Sequence, residues 1–249
     1  GVQTGIDLLR RVDAAGQTDV AGAYIAIGHI DSNVDAVYGG SAGTASMYGY
    51  SLGGYWTRKG ASGWYVDGVL QGTRYDSVKT KSIFAEKFET DGWGVAASLE
   101  AGYPFALTPG WGLEPQGQLV YQWAKLDDSA DSFARISFDD TSTFYGRVGA
   151  RLTRRVAQGE GQDLTAWARL NIWHAFDSDA TTTFASLQGF NPVALSAPIG
   201  ASTWAQVGVG LSGDVARNVN AFGSVDYNRS LDSGSSDGWS GRVGVRFKW

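Results

Sequence analysis

Cysteine is absent from the sequence, which removes disulfide frameworks and thiolate metal sites from consideration. Histidine is almost absent: His29 and His174 are the only two. Nucleophilic catalysis needs a base within reach of the nucleophile, and neither histidine is flanked by a serine in a lipase-like arrangement, so no catalytic residue and no enzymatic activity are expected. Long apolar runs are missing as well. The longest, Val20 to Ile27, is interrupted by Gly22 and falls far short of the roughly 20 residues that a membrane-crossing helix needs. Positive charge is not in excess, since the net charge is -5, and nothing marks a nucleic-acid footprint. Only 5 prolines occur, and no Pro-rich or Ser-rich linker breaks the pattern, so residues 1–249 are expected to form one domain. Asp31, Asp35, Asp127, Asp128, Asp139 and Asp140 lack the regular spacing of a calcium loop. They are read as solvated loop acids, and no metal or other cofactor is expected. The chain opens at Gly1 without a charged-then-apolar leader, and the reading expects a mature fragment or the tail of a longer precursor.

What the sequence has is glycine and aromatics: 35 Gly, 10 Trp, 11 Tyr and 11 Phe. It also alternates. In the closing stretch GWSGRVGVRFKW, Trp239, Gly241, Val243, Val245, Phe247 and Trp249 share one face of a strand, while Ser240, Arg242, Gly244, Arg246 and Lys248 share the other. From Trp111 to Ala124, Trp111, Leu113, Pro115, Gly117, Leu119, Tyr121 and Trp123 oppose Glu114, Gln116, Gln118 and Gln122. The same contrast runs through 48–56, 64–73, 93–105, 144–153, 164–172, 205–211 and 219–227.

Two features separate this pattern from a soluble sandwich. Charges lie deep inside long strands, and aromatics gather near the ends of the apolar faces, which is the signature of an antiparallel β-barrel of the outer membrane. The mean hydropathy of -0.18 does not argue against it, because alternation averages a greasy outer face with a polar inner one. An arginine such as Arg147, Arg151 or Arg242 on the lipid side would cost about 2–4 kcal/mol at the bilayer midplane. The charged faces are therefore expected to line the lumen.

Short connections at Val12–Thr18, Lys59–Gly63, Leu107–Gly110, Val156–Gln162 and Ala216–Asn218 alternate with longer polar ones at Asp31–Ala45, Ser77–Asp91, Asp127–Ser142, Leu187–Ala201 and Leu231–Gly238. Short turns face the periplasm and long loops the exterior. The alternation requires Asp163 to about Leu187 to be one long strand, and it yields eleven strands. An even number is needed for antiparallel closure, so one further strand is expected upstream of Gly1.

Four motifs in order, GVQTGIDLLRR, GGYWTRKGASGWYVDGVLQGTRYD, WGLEPQGQLVYQW and GWSGRVGVRFKW, resemble the translocator (β) domain of classical monomeric autotransporters, the type V secretion proteins. The resemblance implies an all-β, twelve-stranded barrel in the outer membrane of a Gram-negative bacterium. It implies no enzymatic role. The domain would anchor the C-terminus of a secreted precursor and support export of its passenger. The implied partners are outer-membrane lipid, the barrel-assembly machinery and the protein's own passenger and linker helix, with the barrel a monomer. A small-solute channel or porin is the alternative.

The residues expected to line the lumen are Asp67, Gln71, Glu114, Gln116, Gln118, Arg147, Arg151, Arg169, Asp226, Arg242 and Arg246. They either brace the wall by pairing with one another or contact a threaded segment. Val243, Val245, Phe247 and Trp249 are expected to serve as assembly signal and lipid anchor, since terminal aromatics favour the interface.

Overall fold

Alternation with a period of two and abundant glycine at turns dictate strands, and strands alone form among the described residues. These are all of 1–249 except 36–38, 83–86, 158–162, 178, 189, 199–201, 217, 233–236 and 248–249 of the computed structural model. The strands are β1 (Val2–Val12), β2 (Thr18–Asp35), β3 (Ser41–Lys59), β4 (Tyr65–Ser82), β5 (Lys87–Gly102), β6 (Phe105–Thr108), β7 (Trp111–Leu126), β8 (Ser129–Ala130), β9 (Ala134–Phe138), β10 (Thr141–Ala157), β11 (Asp163–Asp177), β12 (Asp179–Ser186), β13 (Val193–Pro198), β14 (Thr203–Ala216), β15 (Val219–Ser230) and β16 (Asp237–Phe247).

Eleven of them follow one another in a single antiparallel sheet, β1-β2-β3-β4-β5-β7-β10-β11-β14-β15-β16, curled into a half-barrel. The eleven strands expected from the sequence are thus present. β1 pairs only with β2 and β16 only with β15, so these two form the sheet's edges. The short β6 continues β5 beyond Pro104. Pairing of β5 with β7 stops at Gly102↔Gln116, and β6 resumes it at Phe105↔Leu113. Opposite this break stands Pro115, whose carbonyl accepts from the Tyr103 amide at 3.2 Å. A proline cannot donate to a ladder, and its missing donor falls where the ladder is already interrupted.

Tight turns close one end of the sheet. Asp13 accepts from the amides of Ala15 and Gln17, both at 2.9 Å, and Gly16 takes φ of 77°. Gly63 (φ 93°) and Gly110 (φ 80°) serve the next two turns, where a side chain would be disfavoured. The expected turns at Val156–Gln162 and Ala216–Asn218 reach residues outside the described set.

The other end carries a feature that the sequence reading did not anticipate. β13, β12, β9 and β8 pair in that order in a separate four-stranded sheet, drawn from the connections β7–β10 and β11–β14. It is seated on the barrel through Phe138 against Phe88, ring centroids 5.8 Å apart, and through Ser129 Oγ donating to the Glu89 carbonyl at 2.9 Å. The segment from Asp163 to Leu187 is therefore not one strand. β11 leaves the barrel at Asp177, where its pairing to β10 ends, and β12 finds its partners in β9 and β13. Asp177 and Asp179 at the junction are poor strand residues.

Nearby, Asp232 accepts from the Thr203 amide at 2.8 Å and from Ser202 Oγ at 2.9 Å, clasping the start of β14 to the end of β15. The Thr203 amide foremost, then the Ser202 hydroxyl, hold its carboxyl below the usual carboxylate value. The folded value lies below the unfolded one of about 3.9, so the clasp contributes above that pH and is lost as pH falls through the folded value. The Thr203 amide resonance should titrate below about pH 4 in the native protein and lose that titration in Asp232→Asn.

Burial is inverted relative to a water-soluble fold. The buried apolar residues are Tyr24, Phe88, Ile136 and Ala175, whereas Thr73, Thr90, Thr143, Arg147, Asn171 and Asp226 are buried and polar. Leu52, Leu70, Leu99, Val148, Leu170, Val209 and Val243 all face outward and are exposed. Aromatics ring this apolar band: Trp56, Tyr103, Phe105 and Trp111 toward the tight turns, Tyr48, Tyr50, Trp93, Tyr121 and Trp239 toward the long connections. At the first rim Arg58 makes a double contact with Asp19 at 2.9 and 3.0 Å, with Trp56 Nε1 donating to the same carboxylate. At the second, Arg74 pairs with Asp91 and lies over Trp93. An apolar belt between aromatic and charged rims is a surface made for a bilayer.

Candidate functional site

The inner wall is built by the alternate residues of the same strands, and register decides which of them meet. Glu100, Gln118, Arg147, Trp173 and Trp204 occupy one cross-strand row. Gln116, Gly149, Asn171, Gln206 and Asn228 form the next, followed by Glu114, Arg151, Arg169, Gly208 and Asp226.

Arg147 anchors the first two rows. It contacts Glu100 at 2.7 Å, Asn171 Oδ1 at 3.3 Å and Gln116 Oε1 at 3.4 Å, and its guanidinium stands 5.4 Å from the Trp173 ring centroid. Glu100 also accepts from the Tyr65 hydroxyl, while Gln116 donates to Tyr65 and, at 2.7 Å, to Glu114. Asn171, fully buried, donates to Gln206 Oε1 at 2.8 Å. In the third row Arg169 reaches Asp226 Oδ1 through Nε at 2.8 Å and Nη2 at 2.7 Å. Arg151 lies over Trp167 at 4.8 Å. A second group on β1–β4 joins Asp7 to the Tyr55 hydroxyl, Asp67 to Thr57, and Gln71 to Tyr24 at 2.8 Å.

The long side chains of this wall lie flat because glycines make room for them. A Cβ at Gly53 would fall on the Tyr24 ring, at Gly22 on Tyr55, at Gly210 on Trp167, and at Gly208 on the Asp226 carboxylate. In each pair the glycine is the direct cross-strand partner of the residue it accommodates. These side chains therefore lie against the wall. Gly53→Ala should cost about 1–3 kcal/mol through overpacking and break the Tyr24–Gln71 hydrogen bond, with the loss read as a lower urea midpoint of the refolded barrel. Gly72→Ala on the lipid side, where a Cβ meets nothing within 4 Å, should cost nothing.

Of the residues singled out from sequence, Asp67, Gln71, Glu114, Gln116, Gln118, Arg147, Arg151, Arg169, Asp226, Arg242 and Arg246 all belong to the inner-facing set by register. Glu114, Gln116 and Arg147 come together, as do Arg169 and Asp226. Gln118 donates to Ser98 at 2.7 Å. Arg242 and Arg246 form no ion pair among the described residues. Val243, Val245 and Phe247 face outward and are exposed, while Trp249 lies outside the described residues. Asp7, Glu100, Asn171 and Gln206 were missed as members of the network. Their signal was available, since each falls on the polar face of an alternating strand, but spacing within one strand does not say which polar residues meet across strands.

A curled antiparallel sheet with a lipid-compatible exterior and a hydrogen-bonded polar interior defines an outer-membrane β-barrel. Comparison with known proteins narrows the class. Residues 1–226 match the family described as autotransporter beta-domain, and the chain belongs to that family. It is 27% identical over 99% of its length to the adhesin BmaC autotransporter of Brucella suis. It is 27% identical over its whole length to the BrkA autotransporter of Bordetella pertussis. The chain spans only 7% and 24% of those two proteins. The crystal structure of the transport unit of AIDA-I from Escherichia coli has the same fold, with a TM-score of 0.82 at 17% identity, over 99% of this chain and 81% of that one. The protein is an outer-membrane translocator domain of the autotransporter family. Domains of this family are transport domains, and the small-solute channel is not favoured.

Proposed function

We propose that residues 1–249 act as a single, monomeric, non-catalytic unit through which a passenger and its linker leave the periplasm. The observation that carries this is the inner wall: polar, cross-linked by hydrogen bonds and flattened over glycines, so that a chain can occupy the axis. An α-helix with its side chains is about 10–12 Å across, and a barrel between the filled eight-stranded and the channel-forming sixteen-stranded kind leaves intermediate room. Arg147 with Glu100, Glu114 and Gln116, and Arg169 with Asp226, brace the wall. Asp67, Gln71, Gln118, Arg151, Arg242 and Arg246 present groups to the occupant. Val243, Val245, Phe247 and Trp249 form the lipid anchor and the feature that the barrel-assembly machinery reads.

The test is a precursor with an epitope-tagged passenger ahead of this domain, probed by protease on intact cells. Passenger should be accessible with the barrel and inaccessible when residues 1–249 are deleted. Steady solute flux with no surface passenger would instead establish a channel. Removing Trp249 should lower folded barrel in outer-membrane fractions, and unchanged levels would reject its role as a signal.

A further inference from the structure

The lipid-facing surface is not even. Between β11 and β16 it sinks into an apolar groove of about 980 Å³, bounded on the outward face by Leu164 and Ala166 of β11, Leu211 of β14, Ala221 and Gly223 of β15 and Val243 of β16. Register explains the depression. Ala166, Leu211, Gly223 and Val243 occupy one cross-strand row, so a leucine and a valine flank a position with no side chain. One row nearer the tight turns, Gly213 pairs with Ala221; one row farther, Val209 and Val225 stand beside Gly241. Leu211, Val225 and Val243 are exposed. Atoms lining an unfilled gap lose their dispersion contacts, and in a bilayer the apolar body at hand to restore them is an acyl chain.

The position of the groove along the strands fixes the leaflet. Gly213 and Ala221 lie just short of Ala216↔Val219, where pairing of β14 with β15 ends, and tight turns face the periplasm. The charge beside the groove then selects the headgroup. Arg154 is the direct cross-strand partner of Ala166 and shares its outward face; a cation there is tolerated because its cost fades toward the interface. Its guanidinium stands 5.2 Å from the Trp111 ring centroid, and its Nη1 donates to the Pro109 carbonyl at 3.2 Å. On the same rim Arg58 is neutralised by Asp19. Arg154 meets no carboxylate within ion-pair distance among the described residues. Trp111 on β7 and Ala166 on β11 flank it, two strand spacings or about 10 Å apart, a separation that one lipid bridges with its headgroup and chains.

We propose that the groove and Arg154 together form a site for one anionic phospholipid of the periplasmic leaflet, with an acyl chain laid along Ala166, Gly223 and Ala221 and the phosphate held by the Arg154 guanidinium. Guanidinium matches phosphate in charge and in its forked donor geometry, and the ring of Trp111 steadies it at headgroup level. The site rests on the lipid-facing reading of the outer surface and is independent of what passes through the lumen.

The experiment reconstitutes the full-length precursor, each variant first shown to fold by heat-modifiable migration, into phosphatidylcholine vesicles that carry a trace of phosphatidylglycerol with a photoactivatable acyl chain. Labelled peptides are mapped by mass spectrometry. Label should concentrate on β11, β14 and β15 over the exposed lipid-facing Leu52 and Leu70 of β3 and β4. Gly223→Leu fills the groove without disturbing the wall, since a Cβ there meets only Val243 Cγ1 at 3.7 Å and the Arg242 carbonyl at 3.8 Å. It should lower the groove label several-fold, both for this probe and for a phosphatidylcholine carrying the same chain. Arg154→Gln should lower only the phosphatidylglycerol label, by about fivefold, the worth of one cation near an anionic surface. Label spread evenly around the belt, or unchanged by Gly223→Leu, overturns the site. So does equal labelling by the two lipids in the parent, or a preference for phosphatidylglycerol that survives Arg154→Gln. A groove shielded from both probes because two barrels pair there, seen as a dimer in mild detergent, overturns it as well. None of these outcomes bears on passenger export, which the protease test on intact cells reads separately.

Discussion

Asp226→Ala should destabilise the barrel by about 3–5 kcal/mol, the cost of leaving one member of a buried ion pair unpaired. Asp226 is 1% exposed, and its Oδ1 takes two contacts from Arg169. Its carboxylate lies over Gly208, whose missing side chain gives it room. Removing the acid strands the Arg169 guanidinium against a wall whose remaining neighbours in that row include Arg151. The check is the urea midpoint of the protein refolded into liposomes. Arg169→Ala and the double variant complete a cycle, in which the double should be less damaging than the sum of the singles. A loss below about 1 kcal/mol would be the value of a solvated surface pair and would mean that water reaches Asp226 freely.

The second large effect concerns the two faces of β7. Leu119→Arg should cost about 2–4 kcal/mol, the range for a cation on the lipid side near the midplane, and should reduce assembled barrel in the outer membrane. Gln122→Arg, three residues along the same strand and on the opposite face, should cost little. Leu119 is 48% exposed and pairs with Leu99 and Gly146 on its neighbours, whereas Gln122 pairs with Ala96 and Thr143 on the inner wall. Equal losses at the two positions would contradict the assignment of faces along the whole sheet, because period two ties each strand to its neighbours.

That assignment was legible before any coordinates. Alternation alone separated Leu119 from Gln118, put every chosen charge on the inner side and counted the strands. Three things were not legible, each for a physical reason. The outer four-stranded sheet arises from pairings between β12 and β9, segments more than 40 residues apart with short polar sequences, and such pairing leaves no periodic trace in either. The pause at Pro104 was invisible because the alternation of β5 carries through Tyr103 and Phe105 as if no break existed. The contacts among Arg147, Asn171 and Gln206 depend on register between strands, which the spacing within one strand does not contain. The extra outward residue of β1 is similar: pairing with β2 slips between Asp7 and Leu9, leaving Leu8 as a bulge.

The glycines beneath the inner side chains have a consequence for the size of the pore. Sliding a strand by one residue exchanges inside for outside, so the tolerable errors during assembly are slips of two. Such a slip would bring Tyr24 opposite Ser51 or Tyr55 instead of Gly53, and Tyr65 opposite Glu100 or Pro104 instead of Gly102. Each misalignment forces a ring onto a side chain. The stagger between strands sets how far a closed sheet must tilt, and tilt with strand number sets its diameter. The placement of a few hydrogen atoms where side chains would otherwise stand thus fixes the bore of the secretion conduit.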